Sequence, residues 1–175
     1  MTGAVTRLFL AVWPPDDLVS ELMSLRRKDQ RGVRFIPPER WHVTLRFFGE
    51  ADIDDVEAAV DAIELPPAIA TIGPAVDVLG ERVLVIPVAG LDTLADEVTR
   101  GTRHLGEPPS RRPFAGHITL ARVQRAVRMP PALGALVEGT FEVDELALVR
   151  SRLDPDGAQY ETVATWTVPT ERSLD

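Results

Sequence analysis

The sequence predicts an α+β fold: a bilobal molecule with two antiparallel-rich sheets, flanking helices and a central cleft. Three observations predict it. Apolar, β-branched stretches alternate with short amphipathic ones in the order strand, helix, strand and hairpin, and the order repeats loosely along the chain. The prolines include five Pro-Pro pairs, each at the edge of such a stretch, where a residue without an N–H ends an element. A short motif occurs twice, as Trp41-His42-Val43-Thr44-Leu45-Arg46 and as Gly116-His117-Ile118-Thr119-Leu120-Ala121-Arg122. The copies are too far apart for a tandem repeat. They point to two halves of one domain over residues 1–175, related by a pseudo-twofold axis.

The elements follow in order. Residues 7–13 (RLFLAVW) read as a first strand, apolar enough to be buried on both faces, and Pro14-Pro15 ends it. Asp16 or Asp17 is expected to cap a helix carrying Leu18, Leu22 and Leu25, with Arg26-Arg27-Lys28 at its C-terminal end, where cations suit the dipole. Residues 33–36 form a short strand closed by Pro37-Pro38. Residues 41–48 form the strand of the first motif, which Gly49 ends. Asp52 to Asp55 open a helix over 53–64. Residues 69–79 and 82–88 read as a hairpin about Gly80-Glu81. A third helix is expected over 91–105, with His104 near its end. A basic, proline-containing loop at 108–113 leads to the second motif strand, 114–123. A short helix over 132–137, a long strand over 140–153, a turn at Asp154-Pro155-Asp156-Gly157 and a last strand over 159–168 complete the chain.

Composition narrows the chemistry. Among 175 residues there is no cysteine, which excludes a disulfide framework, a thiolate zinc site and a cysteine nucleophile. No apolar run reaches the roughly 18 residues of a membrane span, and the N-terminus lacks a signal-peptide pattern, so a cytoplasmic protein is expected. No heptad pattern stands out, so a monomer is expected. The net charge of −8 argues against a general nucleic-acid coat. The charge is unevenly spread, however. Residues 50–64 hold seven acids and no base, whereas residues 100–128 hold seven arginines and one acid, Glu107. Most of these arginines read as solvated surface. Arg46 and Arg122, next to the motifs, are the candidates for binding a phosphate through their planar donor forks.

On a strand, residues i and i+2 share a face. His42 and Thr44 therefore point one way, as do His117 and Thr119, while Val43, Leu45, Ile118 and Leu120 point into a core. Two imidazoles facing one cleft suit paired acid–base catalysis, one taking a proton from water and one giving a proton to a leaving oxygen. Thr44, Thr119 and the arginines would hold non-bridging phosphate oxygens. This chemistry requires no metal or other cofactor, and no carboxylate or thiol adjoins either motif to complete a metal site. His104 lacks the motif. Trp41, Phe48 and Phe114 read as core or cleft wall rather than as base-stacking platforms.

The two His-x-Thr motifs, with RLFLAVWPP at 7–15, RPFAGHITLAR at 112–122 and LVRSRLDPDGAQY at 148–160, resemble the 2H phosphoesterase superfamily. Within it, the chain is similar to the RNA 2′,3′-cyclic phosphodiesterases, the 2′-5′ RNA ligase-like family. The resemblance implies a bilobal α+β fold and opening of an RNA or nucleoside 2′,3′-cyclic phosphate to a 2′-phosphomonoester. It makes His42 the proton donor to O3′ and His117 the proton acceptor, roles the residues themselves leave open to reversal. Some members also join RNA ends through a 2′-5′ bond. A related enzyme on another cyclic phosphate or oligonucleotide end, and a nucleotide- or RNA-binding module without turnover, remain as alternatives. One departure is Ala115-Gly116 before the second histidine, where the family commonly has a bulkier residue and proline. It is expected to loosen the loop entering the motif.

Overall fold

The first strand, β1 (Val5–Val12), divides its side chains between two clusters. Leu8, Leu10 and Val12 enter the main core, whereas Phe9 and Ala11 join Ala147 and Val149 in a smaller cluster on the opposite face, with Trp13 and Tyr160 packed against it. This is the period-two alternation of a strand with apolar partners on both sides. The structure, a computed structural model, describes residues 3–173. After β1 come α1 (Asp16–Leu22), β2 (Val33–Phe35), β3 (Val43–Asp52), α2 (Ile53–Asp61), β4 (Ile69–Ile72), β5 (Asp77–Leu79) and β6 (Val83–Ala89). Then follow α3 (Asp92–Gly101), β7 (His117–Val123), β8 (Gly139–Glu142), β9 (Glu145–Asp154) and β10 (Gly157–Thr167).

The architecture is α+β and largely antiparallel, with few helices. All strand pairs are antiparallel, and the strands follow one another in the order β10-β9-β1-β3-β7-β6-β4-β8, with β2 added on β7 and β5 on β6. In place of the two sheets expected, the strands form one continuous ten-stranded sheet. The joint between its halves is narrow: β3 meets β7 through the pair Val43–Ile118, the residues that follow the two histidines. α2 and α3 pack against β3 and against each other.

Several element boundaries differ from those read from the sequence. α1 ends at Leu22, before Leu25 and the basic trio, and its first residue follows Pro15 with no side-chain cap. Asp17 instead accepts a hydrogen bond from the N–H of Leu18. α2 does carry a side-chain cap, Asp52 accepting from the Asp55 N–H at 3.1 Å. β3 does not stop at Gly49 but runs through it to Asp52, Gly49 taking a φ of +67° that favours glycine. The long strand expected over 69–79 is split at Gly73-Pro74 into β4 and β5, and that expected over 140–153 into β8 and β9. Instead of the helix expected over 132–137, residues 132–134 form a turn and Leu136 an isolated bridge to Ala75. Their backbone bonds are taken across the chain: Gly134 N–H donates to Val76, Val76 N–H to Ala135 and Val137 N–H to Pro74.

Candidate active site

Trp41 is fully buried, and its indole N–H donates to the Ile36 carbonyl at 3.0 Å, which fixes the chain one residue before the first motif. The next residue, His42, lies against Phe9 with ring centroids 4.9 Å apart and nearly stacked planes; Trp13 and Tyr160 close around its other edges. Its Nδ1 is 2.7 Å from the Arg40 carbonyl oxygen. A carbonyl can only accept, so Nδ1 carries a hydrogen and Nε2 is the atom left for chemistry. That Nε2 is 3.1 Å from the Thr44 hydroxyl.

The second motif repeats the arrangement. His117 Nδ1 is 2.7 Å from the Ala115 carbonyl, again two residues back, which again leaves Nε2 for chemistry. The loop leading in is held rather than loosened. Gly116 accepts from the Val88 N–H at 2.9 Å, and a Cβ at Gly116 would come within 2.4 Å of the Val88 carbonyl oxygen.

Both histidines and both threonines line one cavity of about 390 Å³. On a ladder registered on Val43–Ile118, each histidine's position lies beside the other motif's threonine. Four arginines, Arg7, Arg34, Arg40 and Arg122, share the lining, and no aspartate or glutamate does. An acidic protein thus presents a local positive field, which draws in an anion. Burial pushes His42 below its ordinary pKa; the Arg40 carbonyl opposes the shift, and the positive field of His117 adds to it.

Of the two expected motif arginines, the cavity receives one. Each motif strand has an extra residue just after its threonine: Leu45 is skipped between the pairs Ala11–Thr44 and Leu10–Arg46, and Leu120 between Val85–Thr119 and Leu84–Ala121. A one-residue bulge inverts the facing of everything beyond it. Positions 47 and 122 therefore reach the cavity, and position 46 does not. Arg122, five residues after its histidine, lines it; Phe47 takes the equivalent place in the first motif. Arg46 is 4 % exposed and turned inward, with its guanidinium over the Phe48 ring. It donates to the Phe47 carbonyl, to Leu105 at 2.8 Å and to Glu107 at 2.9 Å, closing the chain beyond α3.

The sequence reading missed Arg7, Arg34, Arg40 and Tyr160. Arg7 was open to discovery, since it shares a strand face with Phe9 and Trp13. Arg34 and Tyr160 come from strands whose neighbours only the fold reveals. Gly157 is required here: its φ is +119°, and a Cβ would lie 2.5 Å from an Arg34 nitrogen. Trp41 and Phe48 are core, as expected, and His104 is exposed outside the cavity. Among the described residues, no group of three His, Cys, Asp or Glu side chains could hold a metal ion, and no helix is long and apolar enough to cross a membrane.

A largely antiparallel α+β sheet presenting two His-x-Thr pairs to one basic cavity defines a phosphoesterase-like class of protein. The chain belongs to the 2′-5′ RNA ligase superfamily, whose family model matches residues 14–155. It is 29% identical to an RNA 2′,3′-cyclic phosphodiesterase of Thermus thermophilus, over 97% of this chain and 93% of that protein. It is also 29% identical to one from Aeropyrum pernix, over 75% of this chain and 84% of that one. In structure it is similar to Escherichia coli LigT complexed with 3′-AMP, at a TM-score of 0.79 and 25% identity, covering 95% of this chain and all of that one. The resemblance read from the paired motifs is thus borne out.

Proposed function

We propose that this protein is a 2H phosphoesterase that hydrolyses RNA or nucleoside 2′,3′-cyclic phosphates to 2′-phosphomonoesters by two-histidine acid–base catalysis. One observation carries the reading. Two imidazoles are pinned alike through Nδ1 to a carbonyl two residues back, and both line one cavity walled by arginines and free of acids. The names of the relatives supply the substrate class.

In this mechanism the cyclic phosphate lies among the four arginines. His117 Nε2 takes a proton from a water that attacks phosphorus. The P–O3′ bond breaks, and O3′ takes a proton from His42 Nε2, leaving the phosphate on O2′. Thr44, Thr119 and Arg122 donate to the non-bridging oxygens and stabilise their growing charge. The two halves of the sheet act as lobes about the cavity, and a pseudo-twofold relation would set the imidazoles on opposite sides of phosphorus, as in-line displacement needs.

A second reading exchanges the two roles. It is favoured by the burial of His42, which disfavours the protonated ring and so favours the form of a base. A phosphate anion in the cavity would lift His42 back toward the protonated form of an acid. An analogue with sulfur in place of O3′ separates the two, since a thiolate leaves without a proton. If His42 is the donor, His42→Ala loses much less activity on the sulfur analogue than on the oxygen substrate. If His117→Ala behaves that way instead, the roles are reversed.

The reading as a whole is tested by incubating the protein with 2′,3′-cyclic AMP and with a cyclic-phosphate-ended oligoribonucleotide in EDTA. It expects 2′-phosphate products. A 3′-phosphate product, or no turnover of either substrate, would contradict it.

A further inference from the structure

A second cavity adjoins the reaction cavity. It measures about 800 Å³, roughly twice the volume of the first, and Phe47 is the wall the two share. Phe47 is 38% exposed, unusual for a phenylalanine, and the Arg7 guanidinium lies 4.9 Å from its ring centre. Arg103, Ser110, Arg111, Arg112 and Phe114 line the space beyond it. The first four are exposed, and among the described residues none of the three arginines makes an ion pair. The two acids in the lining have partners: Asp96 lies 3.8 Å from Arg100, and Glu107 faces the charge of Arg46.

We propose that this groove is the binding site for the body of an RNA whose terminal cyclic phosphate occupies the reaction cavity. The inference rests on the functional reading above. A 2′,3′-cyclic phosphate ends a strand, so the rest of the strand leaves by one route. Several cavities share walls with the first. The one beside Gly32 and Val123 adds no cation beyond Arg34 and Arg122, which already line the reaction cavity. The one beside Trp13 and Tyr160 offers Glu39 against Arg40, which cancel. The one beyond Phe47 offers three arginines without acidic partners. Phosphate binding follows the positive groove, and an exposed aromatic face at the threshold suits stacking of the penultimate base. This use also accounts for the arginine-rich run, since three of its seven arginines line this groove.

The test uses the variant Arg111→Glu/Arg112→Glu, two exposed loop positions remote from the cores. The ratio of kcat/KM for a ten-nucleotide cyclic-phosphate-ended RNA to that for 2′,3′-cyclic AMP should fall roughly ten-fold. Binding of a fluorescein-labelled ten-nucleotide RNA ending in a 2′-phosphate should weaken similarly, and the slope of log affinity against log salt should drop by about 1.4, roughly 0.7 for each of the two phosphate contacts removed. An unchanged ratio together with unchanged RNA binding would overturn the groove assignment. The binding measurement reads the groove even if the wild-type protein turns over neither substrate, a result that would count against the reaction and not against the groove.

Discussion

Arg34 and Arg122 stand directly opposite one another on the β2–β7 ladder, and both line the cavity that holds the two histidines. Like charges in direct cross-strand register are destabilising. The pair makes sense as half of an anion site that is completed by phosphate. Inorganic phosphate should therefore raise the melting temperature of the wild-type protein more than that of Arg34→Gln. In phosphate-free buffer the variant should melt about 1–2 °C higher than wild type, the gain from removing a repulsive pair. Paired thermal scans with and without phosphate check this; equal phosphate shifts in the two proteins would remove Arg34 from the anion site.

The buried state of His42 gives stability a defined dependence on pH. Its folded pKa is lowered from 6.5, mainly by burial. Between the folded value and 6.5 the unfolded chain holds more protons than the native one, so stability rises with pH through that window. The contribution is complete above 6.5 and is lost as pH falls through the folded value. Urea unfolding at a series of pH values should show wild type losing stability as pH falls below 6.5 more steeply than His42→Gln. Phosphate should raise the titration midpoint of the His42 ring, read by NMR. Identical pH slopes for the two proteins would contradict the assigned environment of this ring.

Arg46 is a structural residue in this account. Its guanidinium supplies hydrogen bonds to carbonyls at Phe47, Leu105 and Glu107, and desolvation lowers its pKa while Glu107 opposes the shift. Arg46→Met keeps much of the bulk and leaves these acceptors without their donor. It should cost about 3 kcal/mol of folding free energy and speed amide exchange over residues 102–107. Wild-type stability in this variant would return Arg46 to the list of substrate contacts.

The sequence carried most of the strands and the core of the site for a simple reason. Period-two alternation and Pro-Pro breaks are local, and so is the His-x-Thr spacing that puts an imidazole beside a hydroxyl. The bulges at Leu45 and Leu120 were not legible. Nothing in either leucine marks it as the extra residue, and the consequence falls on the next residues, turning Arg46 inward and Arg122 outward. Arg34 and Tyr160 were hidden for another reason, since they reach the cavity only through long-range pairing of β2 and β10, and Arg40, in the turn before His42, is held by the Ala158 carbonyl of β10. The failed helix over 132–137 is of the same kind, its backbone bonds being taken by residues 74–76.

The central claim is that two equivalent imidazoles share the chemistry, and turnover of 2′,3′-cyclic AMP by His42→Ala and by His117→Ala tests it most directly. Each substitution should lower kcat by roughly 10²–10⁴-fold with the fold intact by circular dichroism. Near-wild-type turnover in either folded variant would contradict the two-histidine mechanism.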